Sequence, residues 1–571
     1  MRILSLFTAF FALLSTHAIF LESTCTPVYI AMRQQNTHIL KNILRDVSDP
    51  ESLQYGNWLT SKEIHSIIDP SVAEQQQVIQ WLNTYSTHNI INHGDAISLC
   101  ASQVSLVSMF NMPIQYEGSK LILNTYKIPV SLQHIIDFVE MYATSKSWRI
   151  KQISTSIAGS VDNRYFGLES LRRLYNVPDI VINATISTAA IEFIGNEGYT
   201  NEDMNAQRAL NGMTSSGVIK NIGRNIGIDT ESELDIQMLS MVNGNTDLWY
   251  WNNPHWLYSF AVEFEKTLEK PNIISLSWGW SERNQCDIIA CVGLTSEQYV
   301  ARVNIEFLKM ALQGTTIVVS SGDAGAPGRT NEECQGDSPI NPIFPGSSPY
   351  VLSVGATYVE SNTTNTDTLR TPLCKNQSCV TGTKEGPISY NNVGWTAGGG
   401  FDSYHNETPW WQTEAVTGYL TSGVTLPPQS NFNRNGRAYP DVAAVGHSCP
   451  VVIDGNLAGV DGTSCSAPIF SGLLTYVWDK LWSEYNIKLG FANPLLYFIQ
   501  KNCQECFNDI TSGYNWCTEV ECCPNATDFG FSSISGFDPV TGLGTPNIEK
   551  IGLFINGMFN YSCKKGGNRY R

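Results

Sequence analysis

Thr315-Thr316-Ile317-Val318-Val319-Ser320-Ser321-Gly322-Asp323-Ala324-Gly325 is the stretch that decides the fold. It is a short run of mostly β-branched residues, and a Gly-rich turn ends it. A continuous apolar run bounded by a turn reads as a strand buried on both faces, as in a parallel sheet. Ile273-Ile274-Ser275-Leu276-Ser277 and Tyr350 to Gly355 have the same character. Ser296 to Leu312, between the first two strands, carries helical periodicity. Strands alternating with helices argue for an α/β fold, a parallel sheet flanked by helices. Ligands in such sheets sit at the carboxyl ends of the strands. Asp323, in the turn after its strand, therefore stands where chemistry is expected.

Further along, Gly462-Thr463-Ser464-Cys465-Ser466-Ala467-Pro468 precedes a strongly apolar run from Ile469 to Trp482. The run reads as a buried helix, with Pro468 in its first turn, where a missing N–H costs nothing. Ser464 then lies at a helix N-terminus, where free N–H groups favour developing negative charge. It is either a nucleophile or a plain helix cap. A nucleophilic serine needs a base, usually His. In this half of the chain only His255, His405 and His447 are present, and none lies in a Gly-rich His motif. The remaining candidates are carboxylates. Glu231-Ser232-Glu233-Leu234-Asp235-Ile236-Gln237-Met238-Leu239 reads as an amphipathic helix with Leu234 and Met238 inward. Glu231 and Asp235, four apart, share one face. Such a pair can share a proton and act as base and orienter in acid, or it can be a solvated acidic face. Glu233 is off that face and points elsewhere.

Composition sets the class. The chain has 571 residues, 42% hydrophobic and 15% charged, which is globular and long enough for more than one domain. A formal charge of -17 repels nucleic-acid phosphates, so no nucleic-acid partner is expected. The same acidic balance is neutralised at low pH and suits an acidic compartment. Arg2, the apolar run Ile3 to Leu14 and small or polar residues up to Ala18 read as a signal peptide over 1–18. No later run of 18 or more apolar residues follows, so a soluble protein without a membrane partner is expected. The 15 cysteines, in an exported chain, read as disulfides with at least one left over. Zinc is the competing reading of Cys503-x-x-Cys506, but no His-rich half follows. Sequons at Asn183, Asn362, Asn376, Asn406, Asn525 and Asn560 imply some glycosylation.

The order of segments divides the chain into a signal peptide (1–18), an α+β pro-domain (19–160) and a catalytic domain (161–571). Within the pro-domain, Asp49 to Thr60 is turn-rich and a helix starts at Ser61. Ile150 to Gly167 is polar and Gly-punctuated, a linker with the maturation site expected between Ile157 and Leu168.

Three motifs in one order carry a resemblance. Glu231-x-x-Leu234-Asp235, Ser321-Gly322-Asp323-Ala324-Gly325-Ala326 and Gly462-Thr463-Ser464-x-Ser466-Ala467-Pro468 resemble motifs of the sedolisins, the serine-carboxyl peptidases. Ser277-Trp278-Gly279, Phe344 to Val351, Gly398 to Phe401 and Gly436 to Ala444 match as well, and Tyr55 to Thr60 looks like that family's propeptide. The resemblance implies a subtilisin-like catalytic domain with a Ser464–Glu231–Asp235 triad. It also implies that Asp323, protonated in acid, donates to the oxyanion together with the Ser464 N–H. It further implies one structural calcium ion near the C-terminus, on the carboxylates of Asp509 and Asp538 and the carbonyls of Ile510, Ile534 and Gly536. Ile534 stands where the family usually has Gly, which a backbone carbonyl tolerates. The cysteine-rich stretch from Cys517 to Asp528 departs from the family pattern.

The reading that follows is an acid-activated zymogen peptidase, in its nearest likeness the lysosomal branch of the family that removes N-terminal tripeptides. Its partners would be peptide or unfolded-protein substrates and its own pro-domain as intramolecular inhibitor, and it would travel the secretory pathway to a lysosome or the exterior. A sedolisin endopeptidase is the alternative. An inactive binding relative is a second, against which the intact motifs speak.

Overall fold

Thr26–Met32, the first strand, is buried from Val28 onward and lies between Ala96–Ala101 and Ile136–Met141, antiparallel to both. Thr87–Asn92 completes this four-stranded sheet. The structure, a computed structural model, describes residues 25–565 apart from 113–114, 118–119, 123–125, 142–163, 180–181, 183–184, 194–197, 290, 292, 337, 361–369 and 381. The helices Thr37–Ser48, Ser61–Ile68, Val72–Leu82 and Gln103–Phe110 belong to the same unit. Two begin with reciprocal capping boxes, Thr60 with Glu63 and Ser71 with Glu74, which satisfy first-turn N–H groups that would otherwise lack partners. The expected helix start at Ser61 is therefore set by its cap. Val28, Ile30, Val78, Leu99, Leu106 and Phe110 form a core belonging to this pro-domain alone.

The catalytic half is built on an eight-stranded sheet. Its order is Glu385–Pro387, Leu352–Val359, Thr316–Ser320, Ile273–Leu276, Ser187–Phe193, Asp247–Asn253 and Lys220–Ile222, with Val442–Val445 also pairing Leu352–Val359. Every pairing is parallel except the short edge strand Glu385–Pro387. The three apolar runs read from the sequence are thus adjacent central strands, buried at every position from Ile273 to Leu276 and from Thr316 to Ser320. Thr230–Val242 and Thr463–Tyr485 pack together as neighbouring helices, and the second also crosses the central strands. Ser296–Leu312 and Leu257–Lys266 belong to the other large core, with Ile274, Leu276, Ile317 and Val319.

Three details depart from the sequence reading. Helix Thr230–Val242 is not amphipathic: it is buried from Ser232 to Val242. The sheet, the helix Thr463–Tyr485, the helix Asn201–Leu210 and the strand Cys449–Ile453 surround it. Pro468 lies not in the first turn but six residues into its helix. Its missing N–H leaves the Ser464 carbonyl without the usual intrahelical donor, and the Ser277 hydroxyl donates to that carbonyl at 3.4 Å. The segment proposed as a linker is tied down at its end, since Phe166 is buried and Gly167 caps the helix Leu168–Leu174. The signal peptide and residues 157–163 of the expected maturation region lie outside the described residues.

Seven disulfides join Cys25 to Cys100, Cys286 to Cys291, Cys334 to Cys523, Cys374 to Cys379, Cys449 to Cys465, Cys503 to Cys506 and Cys517 to Cys522. Cys503 and Cys506 are bonded to each other, which removes zinc as a reading of that pair. Cys563 is the fifteenth, and its side chain lies outside the described residues. Among the described residues no helix is long and apolar enough to cross a membrane.

Candidate active site

Ser464 is the second residue of its helix, so its N–H is one of the first-turn donors that have no partner within a helix. Two ties hold this helix start. Ser466 donates its hydroxyl to the carbonyls of Ala444 and Val445 at 3.0 and 3.1 Å, and Cys465 is bonded to Cys449. Ser466 in the motif therefore anchors the helix to the strand Val442–Val445.

The side chain of Ser464 lies beside the carboxyl of Glu231 and favours its charged form. Glu231 lies in the first turn of the helix Thr230–Val242, whose N-cap Asp229 accepts the Glu231 and Ser232 N–H groups at 3.0 and 3.3 Å. Asp235, one turn on and fully buried, accepts the Ser277 hydroxyl at 2.8 Å. Glu192 is its buried carboxyl neighbour and accepts the Trp278 indole N–H at 2.8 Å. Ser464, Glu231, Asp235, Glu192 and Trp278 thus gather in one buried group. Glu233 is turned away as expected, accepting the Thr200 N–H and the Gln237 amide, both at 2.7 Å.

Burial dominates the electrostatics. It pushes Glu231 up to about 8 against the opposing effect of Ser464, with the charges of Asp323 and Asp229 adding to the rise. Asp235 and Glu192 are raised well above the carboxylate range, first by burial and then by neighbouring carboxylates. Three carboxyls this close cannot all ionise, so they hold shared protons and titrate as a unit.

Asp323 follows the strand Thr316–Ser320 as expected. Gly322 has a φ of 103°, and this left-handed turn aims the Asp323 side chain at the helix start of Ser464. One carboxyl oxygen of Asp323 accepts both the Thr463 N–H at 2.8 Å and the Thr463 hydroxyl at 2.7 Å. Its other oxygen faces the Arg329 guanidinium at 3.4 Å, and Arg329 is held at 2.8 Å by Glu519. Burial raises the Asp323 carboxyl, and Arg329 opposes the rise.

The histidines are occupied elsewhere. His255 packs edge-on against Tyr29 at 5.4 Å, the His405 ring pairs with Asp402 at 3.0 Å, and the His447 ring pairs with Asp461 at 3.0 Å.

At the C-terminal loops, Asp509 accepts the Gly536 N–H at 2.7 Å and the Ser535 hydroxyl at 3.3 Å. Asp538 accepts the N–H groups of Ile534, Val540 and Thr541 at 3.0, 3.0 and 2.9 Å. Asp538 is fully buried, and burial with the nearby Asp509 charge pushes it up to about 8. Two carboxylates near enough for the charge of one to act on the other, with no ion pair to either among the described residues, fit a hard cation's preference for oxygen.

The sequence reading missed Glu192, Arg329 and Glu519. Glu192 had a signal, being an acidic residue inside the otherwise apolar strand Ser187–Phe193. Arg329 and Glu519 are 190 residues apart and had none.

A mostly parallel sheet flanked by helices and preceded by a separate α+β unit defines a class, the peptidases made with an activation domain. Residues 21–143 match the family described as Pro-kumamolisin, activation domain, and residues 236–488 match the Subtilase family. The chain is 35% identical over 543 residues to Physarolisin of Physarum polycephalum, covering 92% of this chain and 93% of that protein. It is 30% identical to Tripeptidyl-peptidase 1 of Mus musculus and of Homo sapiens, covering 91% of this chain and 90% of each. A solved Pseudomonas sedolisin, a serine-carboxyl proteinase complexed with pseudo-iodotyrostatin, superposes with a TM-score of 0.53 at 22% identity, over 69% of this chain and 99% of that one. The protein belongs to the sedolisin family: it is a serine-carboxyl peptidase made as a zymogen with its own pro-domain.

Proposed function

We propose that this peptidase works in acid and removes tripeptides from the free N-terminus of peptides, with Ser464 as nucleophile. The observation that carries the reading is the placement of the Glu231 carboxyl beside Ser464, with Asp235 and Glu192 buried close by. Ser464 Oγ attacks the scissile carbonyl carbon and its proton passes to Glu231. Asp235, bonded to Ser277, orients Glu231. The oxyanion takes hydrogen bonds from the Ser464 N–H and the protonated Asp323. Glu231 returns the proton to the leaving amine, and water then cleaves the acyl-enzyme with the same groups in the same roles. A carboxyl donates only while protonated, so the raised Asp323 suits acidic conditions.

The tripeptide specificity is supported by the Tripeptidyl-peptidase 1 relatives, which align over nine tenths of the chain. Acid-activated protein offered a free-amine tripeptide reporter and an N-blocked peptide tests it. Cleavage of the reporter alone is expected. Cleavage of the blocked peptide assigns an endopeptidase, and cleavage of neither assigns an inactive binding relative.

The route we infer is the secretory pathway to a lysosome-like compartment. Seven disulfides and exposed sequon asparagines at Asn376, Asn406 and Asn525 support it. A calcium ion on Asp509 and Asp538, with the carbonyls of Ile510, Ile534 and Gly536, would neutralise the buried Asp538 carboxyl and the exposed Asp509 and brace the C-terminal loops. Chelation should lower the Tm by several degrees at neutral pH, since a ligand that binds only the folded state stabilises it. An unchanged Tm would remove the metal from this reading.

A further inference from the structure

The loop that leaves Asp323 is bolted to the cysteine-rich segment. At Gly325, where φ is 61°, an added Cβ would lie 1.9 Å from the Cys517 carbonyl oxygen. The Ala326 N–H donates to the Asn515 carbonyl at 2.9 Å, and the Thr518 hydroxyl donates to the Glu332 carbonyl at 2.8 Å. Cys334 and Cys523 join the two segments covalently, and Cys517–Cys522 closes the tip that bears Glu519. From that tip Glu519 holds one guanidinium nitrogen of Arg329 at 2.8 Å, and the same nitrogen lies 3.4 Å from Asp323.

The oxygen matters. Thr463 already donates twice to Oδ1 of Asp323. Oδ2 is the oxygen left to carry a proton toward a substrate, and Oδ2 is the one Arg329 faces. Arg cannot discharge itself by losing a proton, so at Asp323 it always favours the carboxylate, while Glu519 takes back part of that effect.

We propose that Arg329 and Glu519 are a positioning pair that governs when Asp323 holds its proton, and that the disulfide-closed tip Cys517–Cys522 serves to hold Glu519 in that place. The inference rests on the reading of Asp323 as oxyanion donor. The charged groups facing Asp323 among the described residues are Arg329, Glu519 and, across the site, Glu231. Arg329 also acts on Glu231, so the acid limb of the pH profile moves with it. The alkaline limb, where Asp323 loses its proton, is the readout.

The two partners have opposite signs. Removing the cation by Arg329→Met raises the Asp323 carboxyl, so activity should persist about one pH unit higher on the alkaline limb of kcat/KM. Removing the anion by Glu519→Gln leaves Arg329 unopposed, so the limb should fall by about half a unit. Arg329→Lys keeps the charge and should return the limb toward wild type. A merely structural pair would lower kcat at every pH and leave the limbs in place, and that result overturns the proposal. If Arg329→Met does not fold, Glu519→Gln alone decides: a limb moved down supports the pair and an unmoved limb overturns it. Asp323→Ala, which removes the donor, is measured beside them. Wild-type activity in that variant removes the oxyanion reading itself. Lost activity there, with unmoved limbs in the other variants, removes only the pair.

Discussion

Glu231 meets two opposed demands at one carboxyl. In the proposed reaction it accepts the proton of Ser464, yet its surroundings disfavour its charge and raise it to about 8. Sharing protons with Asp235 and Glu192 reconciles them, because the cluster can carry one negative charge without fixing it on one residue. Glu231→Gln keeps the shape and removes the acceptor. Turnover and self-processing should fall by about four orders of magnitude with Tm unchanged, the scale seen when a triad member is lost. Wild-type-like cleavage by this variant would end the assignment of Glu231 as base. The pairing of Glu231 with Asp235 was legible in the sequence because helix geometry sets four-residue neighbours on one face. Whether that face is wet or dry was not, since burial comes from elements far away in the chain.

Ser464 and Glu231 are carried by two helices that meet at a glycine. A Cβ added at Gly472 would lie 2.9 Å from Val242 Cβ and 3.0 Å from the Asn243 nitrogen. No flexible side-chain end is there to yield, so Gly472→Ala must move the helix of Ser464 away from that of Glu231. Because small displacements of reacting groups are costly in rate, kcat should fall about tenfold or more, with KM little changed and Tm lowered by a few degrees. A wild-type kcat would mean that the helix contact does not set the catalytic distance. The Pro468 discrepancy belongs to this scale too. Sequence rules place Pro at a helix start because the penalty there is least. Here Pro468 lies a turn deeper, and the Ser277 hydroxyl, shared with Asp235, is 3.4 Å from the carbonyl left free.

Acid acts on the whole molecule in two directions. Lys309 of the catalytic half reaches Asp95 of the pro-domain at 2.9 Å, and Arg302 donates to the Met32 and Asp95 carbonyls at 2.6 and 3.0 Å. Burial alone would raise Glu265 and Asp95. His65, Lys309 and their cationic neighbours prevail, holding Glu265 at about 2 and Asp95 lower still. A depressed carboxylate contributes stability that is present above its free value and lost as pH falls toward its docked value. Docking should therefore weaken from about pH 4.5 downward. The raised carboxyls of the active site have the reverse sign: their contribution is present below about pH 4.5 and lost as pH rises toward 8. Lys309→Met removes a partner of Asp95, so self-processing of the zymogen should begin about one pH unit higher. An unchanged onset would show that this cluster does not control release.

By itself the sequence determined the parallel α/β core, because apolar runs and helical periods are local properties of the chain. It also determined the order of Glu231, Asp323 and Ser464, which spacing and neighbouring residues mark out. The tertiary structure alone decided how far the carboxylate cluster extends, to Glu192 and Trp278, and which charge faces Asp323. Those are contacts between residues distant in sequence, and only packing sets the distance and the burial on which a shared proton depends.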